Sequence, residues 1–314
     1  MRTAALFLGL TCLAAAPLAC GSAPVSPAPA TPDVVAAPGA PPPAVAVDAA
    51  LDLSPVAEPD GLIGVVRWKS PSSTIATGAS WSGLPPQVVV ASSQMATAQI
   101  MKEALRNMAD PQKLAELVSL DAPIDAVAAL DPNPKRRDAI GAMSIGLTSL
   151  ERAKQAAEVA APLNEIAPGI WKIGDRRGGD GTCVIAASAG ATPARLVCGP
   201  RDKDVLALAP YLVRTMPTLS VSAIDLHAEL RVTPIEARYG GLLRQTLSQM
   251  PLLAQSQVSI DDPRFDRAIV EAATALSEEV ADLAGDLDKV TFDLGLDART
   301  GLTTNGAVHF RQRR

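Results

Sequence analysis

Two cysteines, Cys183 and Cys198, bracket a glycine-containing link and fix how the middle of the chain can fold. Thr182 to Ser188 and Ala194 to Gly199 are largely apolar runs of strand length on either side of Gly190. With Gly190 and Ala191 as the two turn residues, position 189 pairs with 192. Counting outward sets Ile185 against Leu196, Val184 against Val197 and Cys183 against Cys198. Turn geometry alone therefore places both thiols in register for a disulfide, which would stabilise by roughly 3 kcal/mol in the chain-entropy model. The alternative is two free thiols. Without a C-x-x-C spacing the bond reads as structural rather than redox-active.

Around this hairpin the chain reads as groups of strands and helices. Leu62 to Trp68 alternates as a strand starting at Gly61 and closed by Pro71-Ser72-Ser73. Ala98, Met101, Leu105 and Met108 share one face of a helix expected from about Met95 to Met108, a core-filling stripe by its spacing. Asp110-Pro111 supplies an N-cap and first turn for another helix. Strands follow from Ile124 to Leu130 and from Ala139 to Leu147, then a capping box of Thr148 and Glu151 opens a helix to Ala161. Asp175 to Gly181 is a polar, glycine-rich hairpin loop: it runs into a strand rather than a helix N-terminus, and its two carboxylates are too few for calcium.

Past the hairpin, Arg201 to Arg214 is a helix, and Asp225 to Thr233 is a strand with His227, Glu229 and Arg231 on its polar face. Ile235 to Met250 reads as a helix interrupted near Gly240-Gly241, and Asp262-Pro263 starts a helix that runs to Gly285. Val290 to Leu296 and Leu302 to Phe310 make a closing hairpin. Its outer edge must dock on the main sheet or accept a strand from an envelope protein partner. The grouping predicts an α+β body over 61–314, with largely antiparallel sheets and helices packed on one face, and with room for two subdomains divided near 216–222.

The N-terminus has a different character. Met1 and Arg2 lead into an apolar run from Ala4 to Ala16, which closes on Pro17-Leu18-Ala19-Cys20-Gly21-Ser22. A positive start, an apolar middle and a small-residue site make an export signal, too short to stay as a spanning helix of about 20 apolar residues. Residues 1–22 resemble the signal of bacterial lipoproteins, with cleavage after Ala19, so that 1–19 is the signal peptide. Ala19 and Cys20 match that pattern, while Pro17 and Leu18 depart from it; a plain signal peptide cut after Ala16 or Ala19 is the alternative. The resemblance implies acylation of Cys20, whose fatty chains anchor the protein in membrane lipid at about 0.8 kcal/mol per buried CH2. With Gly21 and Ser22 next, and no Asp in that place, it implies the outer rather than the inner membrane of a cell envelope.

Residues 21–60 contain ten prolines, eleven alanines and five acidic residues with no Lys or Arg. Such a tract buries too little apolar surface to fold and reads as a disordered tether spanning on the order of 35 Å. It also carries the whole formal charge of −5, so the remaining body is near neutral. A near-neutral body with 3% aromatic residues lacks both the basic patch and the stacking platform that nucleic acid needs. The basic cluster Lys135-Arg136-Arg137 reads as a solvated loop tip. Only two histidines, His227 and His309, are present and no metal-ligand spacing accompanies them, so neither a metal nor a cofactor is expected. The reading that follows is a non-enzymatic, membrane-anchored binding or scaffold domain. An envelope hydrolase using Ser80, His227 and Asp225 is the first alternative, although no spacing joins them and G-x-S-x-G is not met around Ser80. A carrier of an apolar ligand is the second.

Overall fold

The computed structural model describes residues 51–81, 111–136, 138–160, 162–174, 182–220, 224–257 and 263–311, with isolated positions between 83 and 95. The expected export signal, most of the expected tether, most of the helix expected over 95–108 and the loop over 175–181 lie outside the described residues. From Ala49 onward the chain forms one compact unit.

Among the described residues, ten strands make a single sheet in which every pairing is antiparallel, in the order β10-β9-β8-β1-β2-β3-β7-β6-β5-β4. They are β1 (Leu62–Trp68), β2 (Ile124–Leu130), β3 (Ala139–Leu147), β4 (Leu163–Ala167), β5 (Ile170–Ile173), β6 (Thr182–Ala187), β7 (Ala194–Gly199), β8 (Leu226–Arg231), β9 (Leu287–Asp297) and β10 (Gly301–Phe310). The helices are α1 (Pro71–Trp81), α2 (Pro111–Ala115), α3 (Leu150–Ala160), α4 (Asp202–Pro210), α5 (Thr233–Ser248), α6 (Met250–Gln257) and α7 (Pro263–Asp286). The α+β class with an antiparallel sheet is as the strand grouping predicts. The closing hairpin docks on the sheet through β9 against β8, which leaves β10 as an outer edge. Because β8 pairs directly with β1, one sheet runs across the 216–222 connection.

Helices lie on both faces where the sheet is most apolar. Every residue of β6 is buried, so both of its faces need cover. On one face Val205, Leu208, Leu212 and Met216 pack over Val127, Ile140, Val184 and Val197. On the other, Leu114, Leu117, Ala153 and Ala157 pack over Leu147, Ile173, Ile185 and Leu196. Val184 and Ile185 are adjacent in β6 and so point to opposite sides, which is why two clusters form rather than one. Cutting any of these leucines to Ala costs about 2–5 kcal/mol.

The cysteine register is as the turn geometry predicts: Cys183 faces Cys198, Val184 faces Val197 and Ile185 faces Leu196. The disulfide is formed. The link itself is longer than a two-residue turn, since the strands end at Ala187 and Ala194 and Ser188 N–H bonds to Pro193 O.

Several local readings change. Pro71-Ser72-Ser73 does not merely end β1; it begins α1, because Pro71 takes a first-turn position and Ser70 O receives the Thr74 N–H. The cap of α3 is Ser149, whose Oγ accepts the Arg152 N–H at 3.3 Å, while Thr148 bonds back to Leu117 O. Helix α5 continues through Gly240-Gly241. Strand β4 has no strong apolar alternation to announce it. The helix expected over 201–214 changes form at Pro210, which lacks an N–H for the helical ladder. Tyr211–Thr215 continues as a π-helical turn and Met216–Thr218 as a 3-10 turn.

Candidate functional site

Three otherwise apolar sheet strands each admit a single charge, and the register brings those charges together. Arg67 sits in β1, Asp125 in β2 and Arg195 in β7. Direct cross-strand partners run Asp293 (β9), His227 (β8), Arg67 (β1), Asp125 (β2), Ser144 (β3). Residues directly opposite share a face, so this is one polar row across five strands.

At its inner end the row is buried. Asp125 is 0% exposed and accepts from Arg67 Nε at 2.6 Å and from Arg195 Nη2 at 2.9 Å. Arg67 also donates to the carbonyls of Met216 and Leu219, and so ties the end of the π and 3-10 turns to the sheet. Arg195 donates to Pro123 O. Burial, opposed by Asp125 but reinforced by Arg67, holds the Arg195 guanidinium below its ordinary pKa.

At its outer end the row opens into a groove of about 620 Å³. The floor is Val65, Arg67, His227, Glu229, Arg231 and Asp293. One wall is Tyr211, Thr215 and Met216 from the π and 3-10 turns, continued by Leu219, Ser220 and Ile224. His227 Nδ1 lies 2.6 Å from Asp293 Oδ1. Glu229 is held between Arg231 Nε at 2.6 Å and Lys289 Nζ at 2.9 Å. Burial would raise the Glu229 pKa, yet these two cations carry it below the ordinary carboxylate value. Arg231 in turn meets Glu58, which also lines the groove.

Glu58 belongs to a strap, residues 51–60, that is fastened to the same wall. Thr215 Oγ1 accepts the Val56 N–H at 2.9 Å and donates to Val56 O at 2.7 Å. The part of the tether nearest the body is thus built into the groove.

The three hydrolase candidates are engaged elsewhere. Ser80 Oγ donates to Thr77 O, and the Asp225 carboxylate accepts from Leu296 N–H at 2.6 Å and Thr74 Oγ1 at 3.3 Å. His227 takes Asp293 instead, a partner that β8–β9 pairing supplies and that no spacing reveals. Lys135 and Arg136 are exposed. Among the described residues, no group of three or more His, Cys, Asp or Glu is placed to hold a metal ion, and no helix is long and apolar enough to cross a membrane. No family model, no curated protein and no solved structure matches this chain.

Proposed function

We propose that the chain is a cell-envelope lipoprotein, held in membrane lipid through acylated Cys20 and most consistent with the outer membrane, whose body is a non-enzymatic binding domain. The observation that carries the binding half is the groove: a polar floor of His227, Asp293, Glu229 and Arg231 against an apolar wall of Tyr211, Met216 and Leu219. A concave surface with a few oriented polar groups is what small-ligand recognition needs. The disulfide between Cys183 and Cys198 supports an oxidising compartment. Its use of those two cysteines leaves Cys20 free for acylation. The exposed side of β10, with Leu302, Val308 and Phe310 uncovered, is the surface offered to an envelope protein partner. Metabolic labelling with a fatty-acid probe tests the anchor: label on the chain that disappears in Cys20→Ala supports it, and a chain that never takes label refutes it.

A hydrolase is the second reading, favoured by one observation. The His227 and Asp293 pair faces a groove that Ser220 also lines, the residue types of a nucleophile, base and orienting acid. A fluorophosphonate probe that labels Ser220, and fails to do so in His227→Gln, would establish it; an unlabelled chain leaves the groove as a binding surface.

A further inference from the structure

The buried end of the polar row carries two guanidiniums and one carboxylate. Asp125 serves both Arg67 and Arg195, so among the described residues one positive charge stays uncompensated within a site where Asp125 is 0%, Arg195 1% and Arg67 8% exposed. The next carboxylate along the row, Asp293, is two strands beyond Arg67, faces the groove and is occupied by the His227 ring. Among the described residues, two buried donors in the same place have no hydrogen-bond partner: Arg195 Nε and Ser144 Oγ. They are neighbours, since Arg195 Nη2, in the same planar guanidinium as Nε, approaches Ser144 O at 3.5 Å.

We propose that Arg195 Nε and Ser144 Oγ bind a buried monovalent halide, chloride under physiological conditions. Both groups donate, neither is satisfied, and the cluster lacks one negative charge. A buried donor left unpaired costs free energy, and an uncompensated buried charge costs more. A water molecule would satisfy the two donors and leave the charge; a halide answers both needs with one small, weakly hydrated ion. A larger oxyanion would need more donors than these two. The site lies at the inner end of the same polar row, and Arg67 is shared between it and the groove floor.

The test compares thermal unfolding of the full chain in sodium chloride and in sodium gluconate at one fixed ionic strength, so that general screening cancels. A halide bound only by the folded state raises Tm by about 3–5 °C for each tenfold rise in chloride above its dissociation constant. The quadrupolar NMR linewidth of chloride should broaden on adding the protein and narrow when bromide displaces it. Ser144→Ala removes one donor at almost constant volume and should abolish most of the chloride response while the chain still folds. Equal Tm in the two salts, or no broadening, overturns the proposal. So does a Ser144→Ala chain that responds to chloride as fully as the wild type.

Discussion

Strands β6 and β9 are both interior members of one antiparallel sheet, yet β6 is buried at every position and β9 at none. The difference lies in what covers them. Over β6 both faces meet helices through apolar side chains, one face holds the buried Arg67–Asp125–Arg195 cluster, and the Lys172–Asp202 pair sits at its Thr182 end. Over β8 and β9 one face keeps His227, Glu229, Arg231, Lys289 and Asp293 half-buried along the groove, where ion pairs are partly solvated and weaker than in the buried cluster. The same polar row therefore does two jobs. Its inner end fastens the turns after α4 to the sheet, and its outer end makes the floor of the groove.

The largest expected effect is at the inner end. Asp125→Ala should cost about 3–5 kcal/mol, because it strands two buried guanidiniums; chemical denaturation reads this directly, and a loss under 1 kcal/mol would show that the cluster is open to water. Next is the Cys183–Cys198 bond, which closes a separation of 15 residues within the doubly covered region. Its reduction, or paired Cys→Ala substitution, should lower stability by roughly 3 kcal/mol. At the outer end the effects shrink. The Glu229 carboxylate is held below its unfolded pKa, so its contribution is present above the ordinary Glu range and is lost as pH falls through the lower folded value. Glu229→Gln should flatten that acid limb of a stability-versus-pH curve by lowering stability at neutral pH toward the value the wild type reaches in acid. Smallest is His227→Gln, expected to change unfolding by about 1 kcal/mol or less because its pair with Asp293 is partly solvated. A loss as large as that of Asp125→Ala would erase the distinction between the two ends.

How much of this was legible in the sequence follows the range of the interactions. The Cys183 and Cys198 register could be counted because a hairpin is local, and a two-residue error in loop length leaves the count unchanged. Strand β2 announced itself as an apolar run between Pro123 and the Asp131-Pro132-Asn133-Pro134 turn, and β3 as the apolar run that follows that turn. Helix α1 was missed because a Ser-Pro start resembles a strand-ending turn until the capping partner is seen. The groove was half legible. Alternation put His227, Glu229 and Arg231 on one polar face, but Asp293 joins them only through pairing of strands 66 residues apart. The buried cluster left a signal that local patterning does not weigh: one Arg or Asp alone in each of three otherwise apolar strands, a residue type that stays in such a place only when paired.

Hydrogen exchange followed residue by residue in the full chain tests the division most directly, since protection reports the free energy of opening each strand. Amides of β6 and β7 should exchange slowest, at the rate of global unfolding, with those of β9 and β10 exchanging faster through opening of the half-covered edge. Equal protection of β9 and β6, or slower exchange in β9 and β10, would contradict the account that the sheet has a doubly covered core and an open, groove-bearing half.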